Sequence, residues 1–555
     1  MKPQPPVTRM RIAARTSSGA NDALADSPSV QERIAAWRAR AAKVDWTPWL
    51  IIALGAFLRL LLLGIKPPHF DEGINGWFVD QMTKTGFYRY DPTNYHGPLH
   101  FYVLFLSQTL LGRNLWALRL PVVLVSIFCI HLATKFEPLV GRNISRLAAL
   151  AMAVSPGFVF YGRYSIHEVW LVLFSMLFLL GLLGLWKIGS VKYLWYTGMG
   201  LAGMILTKET YIIHVGCALI AGGVTWGLHL FRPTKDARLV RQTWTYRDLA
   251  VVCGAAIALV VFFYSGTFFN WSGVKGLYQT FHTWFQTGQN GNGHEKPWYY
   301  WLMLIGRYEW PVALGLCTCA LAPFFKNLSL RYIAIYAVGT LLAYSIVHYK
   351  TPWCIVSIVW PFLFMFGVAI AGIALKHRLR AWITAIALLS VSLGSAIWLN
   401  YFRCSTYTQD DWDKTKSAVE NIAHFFTTEP YVYVQTYNDI WKLTRPLEKL
   451  TKHNPTYYQL VGHLIRTSTY PFPWILGDFP KVGYYEHDNL PETVDADFLI
   501  VQEDRIEEVE KKLQASYFTD SLTIRPYQDT SKVYFSARVF ESFFPGRKPD
   551  FVGKK

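Results

Sequence analysis

Charged residues are scarce in this chain of 555 residues. They make up 16% of the sequence, against about 25% in a typical soluble domain, while 52% of the residues are hydrophobic. This composition excludes a disordered protein and a single soluble enzyme. It is typical of a polytopic membrane protein with a smaller soluble part attached.

Cysteine is also sparse, and its placement excludes a disulfide scaffold. The chain has seven cysteines, of which six fall in apolar segments. Cys317 and Cys319 are too close together for the usual zinc-binding pair, and no second pair accompanies them. Cysteine therefore predicts neither a disulfide framework nor a metal site.

Acidic residues are few in the first 400 positions, which hold 15 of them beside 35 basic residues. Residues 401–555 reverse the balance, with 22 acidic and 19 basic residues. The basic residues lie between apolar segments, a pattern typical of cytoplasmic loops and not of nucleic-acid binding. Residues 1–45, rich in Arg and Ala and without periodicity, predict a disordered basic cytoplasmic tail, and we expect no nucleic-acid partner.

The middle of the chain, residues 46–400, predicts a transmembrane domain of about eleven helical spans. The segments are 47–65, 117–135, 146–160, 167–187, 193–207, 210–229, 249–269, 298–325, 331–349, 353–375 and 380–399. Leu99–Leu111 is too short to span, and leaving it out keeps the basic loops on the side of the N-terminus. We therefore expect a cytoplasmic N-terminus, interfacial helices at Phe70–Thr85 (with Trp77 as an anchor) and at Leu99–Leu111, and an extracytoplasmic C-terminal domain.

After residue 401 the hydrophobic pattern changes to that of a soluble α/β domain. Tyr431–Val434, Phe498–Val501 and Lys532–Val539 predict strands, and Asp504–Ala515 predicts a helix with one apolar face. The remaining length is sufficient for an independent core. The predicted fold is therefore a polytopic α-helical membrane protein with a C-terminal extracytoplasmic α/β domain.

The strongest local signal is the carboxylate pair Asp71-Glu72, directly after the first span. Acids near a membrane are costly and usually functional. Such a pair suits a general base that takes a proton from a hydroxyl, or a ligand of a divalent cation. The alternative is structural, with Asp71 as the N-cap of the following helix and Glu72 stabilised by the helix dipole.

Other polar residues gather at the same predicted face. Arg163, Lys208 and Lys350 are candidates to hold a lipid phosphate, although Arg163 also suits a structural pair with Glu168, and lysines at a membrane face commonly snorkel. The further candidates for substrate binding are His96, His167, Glu209, His294 and Glu295. The last two follow a glycine-rich loop that suits either an anion-binding nest or a flexible connection.

Several short motifs occur in a familiar order. They are Asp71-Glu72, His96-Gly97-Pro98-Leu99, Arg119-Leu120-Pro121, Glu168 and Leu206-Thr207-Lys208. Over about residues 46–400 the chain resembles the GT-C membrane glycosyltransferases, specifically the protein-O-mannosyltransferase/aminoarabinose-transferase superfamily. The stretches beginning at His294 and Lys350 are similar to a prokaryotic branch that is often labelled flippase-associated.

The resemblance implies a cell-envelope enzyme of the plasma (inner) membrane that moves a hexosyl or pentosyl group from a polyprenyl phosphate, with inversion. The acceptor would be a lipid, a glycan or a protein. By the same resemblance, Asp71 matches the catalytic acid of the first outer loop, Glu72 its neighbour and Glu168 the acid of the second loop. His96 matches the histidine of the family's His-Pro-Pro-Leu motif, with Gly97 in place of the first proline.

Two questions stay open at this point. The second loop has His167-Glu168 where the family has an Asp-x-Glu metal motif, so the use of a divalent cation is undecided, with Asp71 and Glu168 as its candidate ligands. The alternative function is a flippase, or a flippase-associated factor, for lipid-linked sugars without catalysis. Glu309, placed inside a predicted span, is the acid that would favour that alternative.

Overall fold

The structure, a computed structural model, describes residues 45–94, 96–234, 240–290, 294–402, 416–486, 489–525 and 530–553. Except for its last residue, the predicted tail at 1–45 lies outside these ranges. From Leu50 onward the chain forms one compact unit. The unit before it is described only at residues 45–49, where the first helix begins.

Seven helical stretches among the described residues are long enough and apolar enough to cross a membrane. At a rise of 1.5 Å per residue, about 20 residues cover the ~30 Å hydrocarbon layer. These stretches are Leu115–Val140, Glu168–Lys187, Tyr211–Phe231, Tyr246–Tyr264, Leu328–Ile346, Pro352–Lys376 and Arg378–Phe402. The chain is therefore a multi-span membrane protein, as its composition predicts.

Three of these stretches consist of more than one helical piece. The pieces are Leu115–Thr134 with Glu137–Val140, the 3₁₀ turn Pro352–Cys354 with Ile355–Lys376, and Arg378–Ile397 with the π-helical turn Trp398–Phe402. Asn114 caps the first of them by accepting the N–H of Ala117 at 2.9 Å. Thr245 and Asp248 form a capping box at the start of Tyr246–Tyr264.

The other helices of the membrane part are shorter or more polar, and four of the eleven predicted spans coincide with them. They are Thr47–Leu60, Phe70–Thr85, Leu99–Leu111, Arg142–Val154, Pro156–Tyr161, Val191–Ile205, Ser272–Asn290, Tyr300–Tyr308 and Trp310–Cys319, with the 3₁₀ turn Ala322–Phe324. The helices predicted at Phe70–Thr85 and Leu99–Leu111 have the predicted bounds.

The predicted span 298–325 is interrupted at Glu309, where one helix ends and the next begins. Its fully buried carboxylate accepts hydrogen bonds from Ser155 Oγ at 2.8 Å, Gly157 N at 2.7 Å and Tyr431 Oη at 3.1 Å. A buried carboxylate is tolerable only when such donors satisfy it. The structure therefore gives Glu309 a structural role, which joins three separate parts of the fold.

The described residues after 416 form a mixed six-stranded sheet with helices packed against it. Its strands are β1 Gly462–Ile465, β2 Val482–Tyr485, β3 Phe498–Gln502, β4 Ser516–Leu522, β5 Ser531–Ser536 and β6 Phe551–Val552. The order is β2-β1-β3-β5-β4-β6, in which β1 runs parallel to β2 and β3 and the other pairs are antiparallel. The helices are Ala418–Thr427, Ile440–His453, Phe472–Ile475, Ile506–Glu510 and Ala537–Phe540, with 3₁₀ turns Pro455–Gln459, Glu503–Arg505 and Glu541–Phe543.

Strand β3 shows why this part of the chain folds around a sheet. Phe498 and Ile500 are buried in one apolar cluster, and Leu499 and Val501 are buried in a second. Alternate side chains of a strand point to opposite faces, so the sheet has a core on each side. Each fully buried side chain of this size contributes about 1.5–3 kcal/mol.

The sequence predictions for the elements of this domain are confirmed only in part. The strand at 498–501 is confirmed, and the predicted strand at 532–539 is confirmed as far as Ser536. The helix predicted at 504–515 is shorter, because the Asp495 carboxylate accepts the N–H groups of Gln514 and Ala515 at 3.0–3.2 Å and turns the chain there. The strand predicted at Tyr431–Val434 is wrong, because these residues form no strand.

The C-terminal domain packs closely against helix Phe70–Thr85. A Cβ atom on Gly76 would lie 2.3 Å from the side chain of Trp474, so the close approach requires glycine. Trp77, predicted as a membrane anchor, places its ring edge-on to Tyr470 with 6.4 Å between the centroids. The contact gives Trp77 a protein neighbour that its helical spacing alone did not indicate.

Candidate active site

A cavity of about 620 Å³ lies between the loops of the membrane part and the C-terminal domain. Seven predicted site residues line it, namely Asp71, His96, His167, Glu168, Lys208, Glu209 and His294. Glu72, Arg163, Glu295 and Lys350 are not among its lining residues. The fold thus brings together motifs that are far apart in the chain.

Asp71 lies in the first turn of helix Phe70–Thr85, and a capping box fixes its position. His69 Nδ1 accepts the N–H of Asp71 at 3.1 Å, and Glu72 Oε2 accepts the N–H of His69 at 2.9 Å. The N-cap is therefore His69, and the structural alternative for Asp71 is wrong. Among the described residues no hydrogen-bond donor contacts the Asp71 carboxylate, which faces the cavity.

Glu72 has the opposite environment, because it is fully buried behind the cavity wall. Its two oxygens accept bonds from Arg119 Nε at 2.8 Å and Nη2 at 2.7 Å, and Oε1 also accepts the N–H of Ser165 at 2.8 Å. Burial opposes ionisation, but Arg119 and the backbone donors outweigh it and lower the pKa of Glu72. Glu72 is therefore not placed to contact a molecule in the cavity, and its hydrogen bonds position Arg119 and the backbone of His69 and Ser165.

Glu168 and Lys208 form a second charged group in the cavity, where their side chains make a buried ion pair. Burial disfavours the ammonium, but the neighbouring carboxylates raise the pKa of Lys208 well above its usual value. Beside them, His96 Nδ1 donates to Glu209 Oε2 at 3.2 Å. The arrangement keeps Lys208 charged inside the cavity.

Three histidine rings pack against one another in tilted arrangements. The ring centroids of His96 and His167 are 4.5 Å apart, and those of His167 and His100 are 4.3 Å apart. His100 accepts a hydrogen bond from Trp170 Nε1 at 3.0 Å. His167 Nε2 is buried and has no hydrogen-bond partner within the described part of the chain, although the residue lines the cavity. A buried ring nitrogen without a partner is suited to a substrate hydroxyl.

Two cations that the sequence predicts at the phosphate have other partners. Arg163 donates to the carbonyl oxygens of Leu58, Arg59, Leu61 and Leu62 at 2.7–3.1 Å, where the first helix ends. Lys350 Nζ donates to the carbonyl oxygens of Val347 and Lys296, the latter at 3.2 Å. The last carbonyls of a helix have no partner within it, so both side chains satisfy the backbone. The structure corrects their predicted positions in the site.

The motifs at His294 and Lys350 pair with each other. Glu295 and Tyr349 form an isolated antiparallel bridge, and the N–H of Lys350 donates to the His294 carbonyl at 3.0 Å. The bridge holds the backbone of Glu295 beside Tyr349, and Glu295 does not line the cavity. The neighbouring His294 does line it, and its ring hydrogen-bonds to Tyr433 Oη.

The C-terminal domain supplies cavity residues that the sequence analysis missed, namely Tyr433, Val434 and Arg525. The carbonyl of Tyr433 accepts a bond from His69 Nε2 at 2.7 Å, and this contact secures the cap of the helix that carries Asp71. Val434 has a φ of 54°, a costly conformation for a β-branched residue. The local sequence at Tyr431–Val434 alternates tyrosine and valine, which predicts a strand and gives no indication of a site.

The candidate ligands for a divalent cation do not form a metal site. Within the described ranges no group of three or more His, Cys, Asp or Glu side chains is close enough to hold a metal ion. Glu168 is in an ion pair with Lys208. Asp71 interacts electrostatically with Arg525 and opposes the lowering of the Arg525 pKa by burial. Asp71 and Glu168 each have a cationic side chain as a neighbour, so these residues do not fit a metal ion.

Comparison with known proteins supports the resemblance seen in the sequence. Residues 95–265 match the family described as dolichyl-phosphate-mannose-protein mannosyltransferase. This region includes His96, Glu168, Lys208 and Glu209 and begins after Asp71. A search of curated proteins by sequence finds no match.

Solved structures are similar over most of the chain. ArnT from Cupriavidus metallidurans bound to undecaprenyl phosphate has a TM-score of 0.58 at 14% identity, covering 87% of this chain and 97% of that one. The apo state of the same protein has a TM-score of 0.53 at 16% identity, covering 91% and 98%. At this identity the likeness establishes the fold. The chain therefore has the fold of the GT-C membrane glycosyltransferases.

Proposed function

We propose that this chain is an inverting glycosyltransferase that moves a sugar from a polyprenyl-phosphate donor to an acceptor outside the cytoplasm. The observation that carries the proposal is the position of Asp71. Its carboxylate faces a large cavity that also contains the cations Lys208 and Arg525. Undecaprenyl phosphate bound to the structurally similar ArnT supports a lipid phosphate as the donor group.

The proposed reaction is a single displacement. Asp71 takes the proton of the acceptor hydroxyl as that oxygen bonds to the anomeric carbon. The bond from this carbon to the phosphate oxygen breaks, and its electron pair leaves with the polyprenyl phosphate. Because the phosphate leaves as an anion, no general acid is required. One base without a second carboxylate as nucleophile gives inversion.

The remaining cavity residues are proposed to bind and orient the substrates. Lys208, kept charged by Glu168, attracts the donor phosphate as it gains charge. His167 and the His96–Glu209 pair offer hydrogen-bonding atoms for sugar or acceptor hydroxyls. Glu168 thus acts on the reaction through Lys208.

The proposed location is the plasma (inner) membrane. The basic loops and tail favour a cytoplasmic N-terminus, and the odd number of predicted spans then places the C-terminal domain outside. The cavity lies against that domain, so the acceptor would be a lipid, a glycan or a protein that is exposed there.

The direct test uses the purified full-length chain in lipid nanodiscs. A panel of radiolabelled hexosyl and pentosyl polyprenyl phosphates is offered, with a membrane extract as the acceptor. We expect label to move to the extract from at least one donor. The alternative, a flippase without catalysis, predicts no label transfer from any donor together with translocation of labelled lipid across liposomes.

A further inference from the structure

Arg525 is a cation that the C-terminal domain brings into the cavity. It follows strand β4, and hydrogen bonds anchor the backbone of the two residues that precede it. The N–H of Tyr437 donates to the Ile524 carbonyl at 2.7 Å, and the N–H of Thr523 donates to Asp439 Oδ2 at 3.2 Å. The backbone that leads to Arg525 is therefore held by the residues directly before helix Ile440–His453.

The guanidinium itself lies over the face of an aromatic ring. Its Cζ atom lies 4.0 Å from the centroid of the Phe70 ring, and Phe70 in turn lies edge-on to Tyr470 at 6.0 Å. Stacking on an aromatic face fixes the plane of an arginine and leaves the N–H groups at its edge available. Among the described residues, no hydrogen bond or ion pair within 4 Å occupies those groups.

The electrostatic surroundings separate Arg525 from the other cavity cation. Burial lowers the pKa of Arg525 to about 10, and Asp71 is the charged group that opposes this shift. The charged neighbours of Lys208 are instead Glu168 and Glu209. Arg525 therefore remains charged at neutral pH beside the proposed base Asp71, apart from the Glu168–Lys208 ion pair of the same cavity.

The two other arginine and lysine candidates are committed to backbone carbonyls. Arg163 and Lys350 hold the ends of helices, so neither supplies free donors to the cavity. An anionic group that enters the cavity can meet both Lys208 and Arg525, because both line it. A guanidinium binds two oxygens of a phosphate or carboxylate at once, which an ammonium does not.

We propose that Arg525 is a substrate-binding residue through which the C-terminal domain holds an anionic oxygen group of one of the two substrates. The anion is either the phosphate of the polyprenyl donor or an acidic group of the acceptor. The inference rests on the proposed function. It gives the C-terminal domain a direct part in substrate recognition at the site that contains Asp71.

The test compares Arg525→Gln and Arg525→Lys with the wild type in nanodiscs. Arg538→Gln is the matched control, because Arg538 lies in the same domain with 83% of its side chain exposed, paired to Asp497. One measurement is the affinity for undecaprenyl phosphate relative to undecaprenol, which has the same chain without phosphate. The second is the concentration of donor and of membrane extract that gives half-maximal label transfer.

If the anion is the donor phosphate, Arg525→Gln lowers the affinity for undecaprenyl phosphate at least tenfold and leaves the affinity for undecaprenol unchanged. Arg525→Lys then recovers part of the lost affinity. If it belongs to the acceptor, lipid affinity stays constant while the half-maximal amount of extract rises at least tenfold. Wild-type behaviour of Arg525→Gln in both measurements overturns the inference. Absence of transfer by the wild type would instead count against the proposed function, and the lipid-binding comparison would then decide the role of Arg525.

Discussion

Replacing Asp71 by asparagine is expected to reduce the rate of sugar transfer by about 10²–10⁴-fold, the usual contribution of a positioned base. The amide has nearly the same shape but does not accept a proton at neutral pH. Since no described residue hydrogen-bonds to the Asp71 carboxylate, folding should be unaffected. The measurement is the rate of label transfer by nanodisc preparations of equal protein content and equal thermal stability.

The matched control is Asp80→Asn, which changes an acid of the same helix. Asp80 is bound by Arg113 at 2.9 Å and does not line the cavity. We expect this variant to keep its transfer rate and to lose some thermal stability. Full transfer by Asp71→Asn would show that another group removes the acceptor proton.

Replacing Glu72 by glutamine is expected to destabilise the protein by about 3–5 kcal/mol, the typical result of removing one partner from a buried ion pair. Arg119 would be left as a buried cation, although it would keep its bonds to the carbonyls of Leu63, Lys66 and Pro67 at 2.8–3.1 Å. The measurement is unfolding of the purified chain followed by tryptophan fluorescence. A loss of transfer without any loss of stability would contradict the positioning role.

Glu137→Gln provides the control for this variant, because Glu137 pairs with the exposed Arg142 at 3.0 Å. Exposed pairs contribute about 0–1 kcal/mol.

The difference in the free energy of unfolding between the wild type and Glu72→Gln should also depend on pH. The pKa of Glu72 is lowered in the folded state, so the stabilisation is present above the usual glutamate pKa. The stabilisation by Glu72 should decrease as the pH falls through the lowered pKa that Glu72 has in the folded state.

The sequence predicted the membrane class and seven of the residues that line the cavity, because these predictions rest on local patterns. Apolar runs predict spans from their length, and short motifs with Asp71, Glu168 and Lys208 indicated the site before any contact was known. Arg525 and Tyr433 were missed because their role depends on contacts with residues more than 300 positions earlier, such as Phe70 and His69. No periodicity or spacing within one segment reports such a contact.

The cations were only partly predictable for a related reason. Arg163, Lys208 and Lys350 all looked alike in sequence, each being a lone basic residue close to an aromatic or acidic neighbour. Which of them faces a ligand depends on where the last carbonyl groups of nearby helices lie. In the fold, Arg163 and Lys350 reach such carbonyls, whereas Lys208 reaches Glu168 inside the cavity.

The central claim is direct displacement at the anomeric carbon with Asp71 as the single base. The most direct measurement is the anomeric configuration of the transferred sugar, determined by NMR on the product made by the wild-type chain from a donor of known configuration. The proposal predicts a configuration opposite to that of the donor. A retained configuration would require a second nucleophilic group and would contradict the mechanism.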